Sequence, residues 1–403
     1  MKLKPTNTHI TLLLLFLSLL PSCKSQQEKP EGIITIDVAA ALNNLREFRL
    51  SELVESIEYV KLETRPECLV SAASRAIGKK YIVLLNSQPR QVMLFDRSGK
   101  FIRLIGKIGK GPGEYTYPQS IDLSPDEERI LVADGWQRQF MEFSIDGSLL
   151  SNQKAPLVLA AGPFYIDQRH IIYMQSHFTD SIHYPRILSM DFDTGETSTL
   201  HYSNFKRNPD GYAGYCFADI FNIITNGIVF KEALSDTIFQ VSTNLEVKPV
   251  FCLNIGSNKA IYPCMTEQEF ELYSNAFPNC LTSKFLFVTG TLKGRSHLVF
   301  DIASKTTFRL PELKECRGEN DYPFGIINDL GGTGPVWFWY DADIRYNAIF
   351  DQLQMVDLKE LIQTDCFNKA ELKTEKYRDQ LRKLVEESSE NDNPVIRILH
   401  LKK

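Results

Sequence analysis

Glycine, aspartate and histidine recur in this chain at spacings that could do chemistry, and each spacing limits what that chemistry would be. Gly106-Lys107-Ile108-Gly109-Lys110-Gly111-Pro112-Gly113-Glu114-Tyr115 could present backbone amides to an anion, since successive N–H groups in a tight turn form an anion-binding hollow. It never delivers the Gly-Lys-Ser/Thr of a nucleotide-phosphate loop, and no helical pattern follows it. A rigid loop, with Pro112 fixing φ, is the expectation. Lys100, Arg103, Lys107 and Lys110 nearby could attract an acidic glycan or simply be solvated. Asp191-Phe192-Asp193-Thr194-Gly195-Glu196 is half a calcium loop, but calcium takes about six to eight oxygens and the others are missing. A hairpin turn is the plainer reading. His170, His177, His183 and His201 cluster without HExxH or any common zinc spacing. Asp341 and Asp343 are the first carboxylates to consider as a glycosidase pair, whose separation must be roughly 5–9.5 Å. Beginning a loop is their plainer role. With no GxSxG elbow either, the motifs supply no complete catalytic constellation, no metal site and no cofactor.

Covalent chemistry is better marked at the N-terminus. Lys2 and Lys4 precede an apolar run, Ile10 to Leu20, that ends in Leu19-Leu20-Pro21-Ser22-Cys23. A basic start, a short apolar core and a small residue at the break form a secretory signal peptide. The core is too short to span a bilayer, which takes roughly twenty residues. Cys23 directly after Ser22 makes the site resemble a bacterial lipobox, although Pro21 departs from the usual small or hydroxyl residue. The expectation is a signal peptide over 1–22, lipidation at Cys23, and a polar tether over 23–32. Acyl chains on one cysteine would hold the protein firmly, at roughly 0.8 kcal/mol per buried methylene.

The 403 residues carry a formal charge of −5, more negative still without the two leader lysines. An acidic chain without a basic tract is a poor nucleic-acid ligand, because phosphate neutralisation supplies most of that affinity. A hydrophobic content of 43% and a charged content of 24% are those of a globular domain. Seven cysteines follow Cys23, at 68, 216, 252, 264, 280, 316 and 366. The odd number and irregular spacing indicate neither a disulfide framework nor a zinc site, though a pair within 216–280 stays open.

These candidates must be positioned by a repeat. Tyr81–Leu85 with Val92–Asp96, Ile130–Asp134 with Phe140–Ser144, and Ile171–Met174 with Ile187–Asp191 are pairs of apolar, β-branched runs, each pair followed by a turn. Gly99, Gly147 and Gly195 mark the turns, each 48 residues from the next. Glycine there permits the positive φ that a tight hairpin requires. A fourth copy, Ile228–Phe230 with Thr237–Val241, places Asn244 near the turn, and Asn tolerates the left-handed region. A fifth, Phe285–Val288 with His297–Asp301, follows an insertion. Phe324–Ile327 with Val336–Tyr340 is a weaker sixth. Short strands at a fixed period of roughly 40–50 residues read as propeller blades, whereas a β-sandwich has no reason to space a turn glycine evenly. The expected fold is an all-β, six-bladed β-propeller over 33–403, its repeats over about 65–365.

Outside the repeats, Ile33–Val38 is expected as a strand, Leu50–Val54 as a helical turn capped by Ser51, and Ile57–Glu63 as a half-buried strand. A charged helix is expected over 368–389, with Leu372, Tyr377, Leu381, Leu384 and Val385 on its buried stripe. Val395–Leu399 is expected as the closing strand, joining an earlier blade, with 33–38 the other candidate for completing the ring.

Leu50–Val54 with Leu62-Glu63-Thr64, the Gly-Pro-Gly-Glu-Tyr stretch at 111–115, and Asn393-Pro394-Val395 together resemble the six-bladed β-propeller lipoproteins abundant in Bacteroidota, relatives in fold of NHL-repeat proteins. The resemblance covers essentially the whole chain after the leader. It implies a propeller and a lipid-anchored place in the cell envelope, with the outer membrane the expected one. It brings no catalytic residues.

Function divides in two at this point. One reading is a non-catalytic binding or scaffolding propeller for a glycan, peptide or envelope protein. The other is a hydrolase or lyase with carboxylates or a divalent metal at the central channel. Tyr202, Phe205, Tyr212, Tyr215 and Phe217 fall in a segment, 201–221, that interrupts the repeat. Long loops are frequent carriers of function. Tyr212 and Tyr215, with Lys206 and Arg207 adding charge, are the expected ligand-binding residues.

Overall fold

Apolar side chains in the expected strands often occur in unbroken runs, such as Ile82-Val83-Leu84-Leu85, rather than in alternation with polar ones. Such runs need cover on both faces of a sheet. The computed structural model provides that cover by setting six small sheets around one axis. It describes residues 32–71, 73–155, 159–175, 183–204, 215–216, 220–256, 264–265, 274–291, 295–313, 325–338 and 344–403. The propeller lies within the unit Ile34–Lys403; Met1–Ile33 forms a unit of its own, and all of it but Gly32 and Ile33 falls outside the described residues.

Blade one consists of Ala73–Ile77, Tyr81–Ser87, Arg90–Asp96 and Phe101–Ile105, paired antiparallel in chain order from the axis outward. Blade two is Pro118–Leu123, Arg129–Asp134, Gln139–Ser144 and Leu149–Lys154. Blade three is Leu159–Tyr165, His170–Gln175, Tyr184–Asp191 and Thr197–Ser203. Blade four is Ile220–Ile224, Gly227–Lys231, Thr237–Val241 and Val247–Asn254, and blade five is Ala276–Leu281, Phe285–Gly290, Ser296–Asp301 and Thr306–Arg309.

The period of two along a strand sorts side chains between neighbouring blades. Val83, Leu85, Val92 and Leu94 face blade two, where Ile130, Val132, Met141 and Phe143 meet them. Ile82, Leu84, Met93 and Phe95 point the other way and pack on Ile396 and Ile398. Leu131, Ala133 and Phe140 then face Ile171 and Tyr173 of blade three. Each middle strand therefore feeds two interblade cores, and each fully buried side chain contributes roughly 1.5–3 kcal/mol.

Val395–Leu401 closes the ring as expected, but the blade it completes differs from the one the repeat predicts. Blade six is built from Ala348–Leu353 nearest the axis, Val395–Leu401 in the middle and Val54–Lys61 outside. It draws on both chain ends, and two of its strands lie outside the repeats at about 65–365. The sixth apolar pair forms no strand pair among the described residues; Ile326 and Val336 meet at a single bridge. Nor does Ile34–Asp37 close the ring. It adds a fifth, parallel strand outside Val247–Asn254 of blade four. Gln352 donates to the Ser71 carbonyl (2.8 Å) and Arg75 to the Phe350 carbonyl (2.7 Å), while Arg345 reaches the Leu123 carbonyl (2.8 Å) at the far end of blade two's inner strand. Ala348–Leu353 thus runs against the inner strands of its neighbours, in the sense of a blade's second strand. Among the described residues nothing pairs with its axial edge.

The helices also depart from expectation. The predicted 368–389 helix is two pieces, Asp365–Lys369 and Lys376–Glu386, preceded by an unforeseen helix Met355–Leu361. Thr364 starts the first piece by accepting from the Phe367 amide (3.2 Å). Tyr377, Leu381 and Val385 are buried as expected, but Leu372 lies between the pieces. Ser51 does not cap Leu50–Leu53: its amide and hydroxyl both donate to Asp329, at 2.9 and 2.6 Å, and Glu52 reaches back to the Arg49 amide (2.9 Å) instead.

Candidate functional site

The predicted binding residues fall largely outside the described residues. Lys206, Arg207 and Tyr212 do so entirely, as do Cys23, His177, Asp341 and Asp343. Of Tyr215 only the backbone is described: Tyr215–Cys216 pairs antiparallel with Cys264–Met265. That ladder ties the connection between blades three and four to the connection between blades four and five. Tyr202 belongs to blade three's outer strand rather than to a loop, and its ring stacks on His183 with centroids 4.5 Å apart. The other histidines disperse. His170 pairs with Asp167 (2.9 Å) and His201 with Glu232 (3.0 Å). Asp191 forms the expected hairpin, accepting from the amides of Asp193 and Thr194 and pairing with Arg169 (2.5 Å). Among the described residues no three His, Cys, Asp or Glu side chains converge as a metal would require.

The glycine-rich loop carries its own anion. Lys107–Ile108 pairs in parallel with Glu114–Tyr115, and the Glu114 carboxylate accepts from the Gly111 amide (2.8 Å) and pairs with Lys107 (2.9 Å). These hydrogen bonds, the amide first, hold the Glu114 carboxyl below its ordinary range. Tyr115 is buried beneath, donating to the Ile105 carbonyl (2.9 Å) and accepting from the Val92 amide (3.1 Å). The loop is an interblade connection, as expected, and its Gly109, Gly111 and Glu114 amides are already bonded within it.

Its C-terminal end supports a feature that the sequence alone does not single out. The connections between blades, and the turns between second and third strands, leave the sheets at one end, the interblade face. There the Trp136 side chain is 74% exposed, and it lies flat on Tyr117, with centroids 4.9 Å apart and planes within 10°. The Arg90 guanidinium covers the other side of Tyr117 at 4.0 Å. Asp134, buried below, accepts from the amides of Trp136 (3.0 Å), Gln137 (3.0 Å) and Tyr117 (3.3 Å), and from Thr116. Burial pushes its carboxyl up, but these donors outweigh it and hold the group low. The backbone under the exposed indole is therefore held by hydrogen bonds to buried Asp134, and the indole itself rests on Tyr117. Its signal in the sequence is a tryptophan inside the polar turn Gly135–Arg138.

A second feature lies on the axis. A cavity of about 230 Å³ is bounded by the inner strands of blades one to four and by Phe350 of blade six. Ser74, Arg75, Gln119, Ser120, Asp122 and Asn222 supply its polar lining. Asp122 is committed: both oxygens accept from Arg345 (3.0 Å each), and one also accepts from the Tyr165 amide (2.7 Å). Arg75 donates to a backbone carbonyl, that of Phe350, and not to a carboxylate. Asn222 is buried and donates to the Asn279 carbonyl (2.9 Å), while its own Oδ1 has no partner among the described residues. The sequence does not mark these residues out. Their only signal is polarity inside short inner strands.

Fold and lining together define a six-bladed propeller with an axial cavity. The chain belongs to the family described as a domain of unknown function, DUF4934, which matches residues 33–400. Its fold is similar to that of a protein described as exported from Bacteroides fragilis NCTC 9343, at 19% identity and a TM-score of 0.64, covering 92% of this chain and 100% of that one. A member of the DUF4221 family from Bacteroides vulgatus ATCC 8482 matches at 16% identity and a TM-score of 0.46, over 64% of this chain and 85% of that one. Among curated proteins none matches the sequence.

Proposed function

We propose that this protein is an exported, lipid-anchored propeller of the cell envelope that binds a glycan, peptide or protein partner on its interblade face, without catalysis. The exposed, pre-positioned Trp136 carries the reading. An aromatic ring offers large contact area at low entropic cost, and here Tyr117, Arg90 and Asp134 hold it before any ligand arrives. Lys206, Arg207, Tyr212 and Tyr215 belong to this proposal too. Their segment joins an outer strand to the next inner strand, as does the loop bearing Tyr117.

Export and anchoring rest on the leader and on Cys23. Two observations support them. Cys366 is disulfide-bonded, with its partner outside the described residues, and disulfides persist in oxidising compartments. The Bacteroides fragilis protein of similar fold is described as exported. A hydrolase would need an available carboxylate at the channel, whereas Asp122 is tied up by Arg345 and the Tyr165 amide.

The test uses soluble 24–403 protein on a glycan array and in pull-downs from native envelope. W136A should abolish the hit while leaving the melting temperature nearly unchanged, and Y212A/Y215A should weaken it. If both variants bind as the parent does, the site lies elsewhere. For the anchor, C23A should lose fatty-acid labelling and leave the membrane fraction; retained labelling overturns it.

A further inference from the structure

We propose that the axial cavity is a binding site for a hexuronate, an acidic monosaccharide whose carboxylate is held by Arg75 and whose hydroxyls meet Ser74, Gln119 and Ser120. The site is separate from Trp136, and its test does not depend on the interblade-face reading.

Two observations define the ligand. The first is charge. Arg345 Nη2 donates to both oxygens of Asp122 (3.0 Å each), so that carboxylate is paired, and Arg75 is the one cation among the described lining residues. One of its nitrogens donates to the Phe350 carbonyl (2.7 Å). That bond orients the guanidinium and leaves further N–H groups for a planar, singly charged acceptor. The Ser74 and Ser120 hydroxyls and the Gln119 amide add adaptable donors and acceptors for hydroxyl groups.

The second is shape. Phe164 and Phe221 stack at 5.6 Å beside the cavity, and both line it together with Ile121, Ile223 and Phe350. Apolar side chains among polar ones suit a sugar ring, which has C–H faces and a hydroxylated rim. On the measure by which one water needs about 10–15 Å³, a cavity of about 230 Å³ admits a ligand of monosaccharide size. The space exists because blade six sets a reversed strand nearest the axis, with no further strand inside it among the described residues.

Calorimetric titration of the soluble 24–403 protein with D-glucuronate and D-galacturonate tests the proposal. At least one should bind in the micromolar to millimolar range, and D-glucose and D-galactose should bind at least tenfold more weakly. The methyl ester of the bound acid keeps its shape without its charge, and it too should lose at least tenfold, the loss of one charge-assisted contact. R75Q should lose as much, and R75K should recover part of it. A digalacturonate arm separates a free sugar from the end of a chain: tighter binding than the monomer assigns the site to a glycan terminus, equal binding to the free acid. No heat with either hexuronate, or equal binding of acid and ester, overturns the proposal. If R75Q does not fold, the acid-to-ester ratio on the parent protein decides alone.

Discussion

The Glu127 carboxylate stands 2.3 Å from where a β-carbon on Gly78 would lie. Glu127 sits in the first turn of blade two, at φ +62°, and is buried. It accepts from the amides of Lys79 (2.7 Å), Lys80 (2.8 Å) and Tyr81 (3.2 Å) in the corresponding turn of blade one. One side chain thus satisfies three amides of the neighbouring blade, and glycine at 78 is what lets it approach.

G78A should therefore destabilise the protein by about 1–3 kcal/mol, the range for forcing atoms into a packed site. E127A should cost about 1–3 kcal/mol, because it leaves three part-buried amides without their acceptor. The two losses should not add. Without the Glu127 carboxylate two of the three atoms nearest the added methyl are gone and Leu123 Cδ2, at 2.8 Å, remains, so a double-mutant cycle by urea unfolding should show a coupling of at least about 1 kcal/mol. Additive losses would mean that Glu127 swings aside and does not join the blades.

Closure of the ring rests on a buried cation. Arg397, in the middle strand of blade six, donates to Asp351 (2.9 Å for one contact) on the axial strand and to Thr333 (2.5 Å). Removing one partner of such a pair leaves a charge unpaired, at a cost of about 3–5 kcal/mol. D351A should thus be much worse than the double variant D351A/R397M, which replaces the charge by an apolar side chain. Equal stability of the two would show that water reaches Arg397.

How far these features could be read from the chain depends on whether a residue type answers to a local demand. Gly99, Gly147 and Gly195 take φ of +89°, +87° and +73°, so a rule about turns located three blades. The fourth turn already strays: Leu245, not Asn244, takes the positive φ, at +64°. Blade six obeys no local rule. Val54–Lys61 and Val395–Leu401 come from opposite ends of the chain, and what brings them together is the gap that blades one and five leave in the ring. The site was harder still. Asp134, Arg75 and Asn222 look like ordinary strand polars until their partners are known, and Trp136 is informative only because it is exposed.

The glycine-rich loop gives a further prediction. Its Gly109 β-carbon would fall 1.9 Å from the Glu114 carboxylate, so G109A should expel that group from the amides it satisfies. The expected loss is about 1–3 kcal/mol, and G109A/E114A should recover part of it. Hydrogen exchange localises the effect: the Gly111 amide should exchange faster in G109A and in E114A alike. Unchanged protection would mean that the glycines, not Glu114, hold the loop.

The last prediction concerns acid. His297, in blade five, is buried, 3.3 Å from the Thr289 hydroxyl and packed on Trp337 at 4.2 Å. Burial, with Arg295 adding repulsion, lowers its pKa from 6.5 to about 4. Above pH 6.5 the imidazole is neutral in both folded and unfolded chains, and stability is unaffected. Between pH 6.5 and about 4 the unfolded chain takes up a proton that the folded one refuses, so stability falls as pH falls. Below about pH 4 both forms are protonated and this loss stops growing. A tenfold difference in proton affinity between the two chains is worth about 1.4 kcal/mol, so the loss from this one group approaches about 3 kcal/mol. H297Q keeps a polar side chain without the titration, so its stability should change less over that window than the parent's. Urea unfolding of both proteins from pH 7 downward reads the difference directly. Parallel curves would mean that His297 is protonated in place, and that its surroundings hold a charge better than their burial implies.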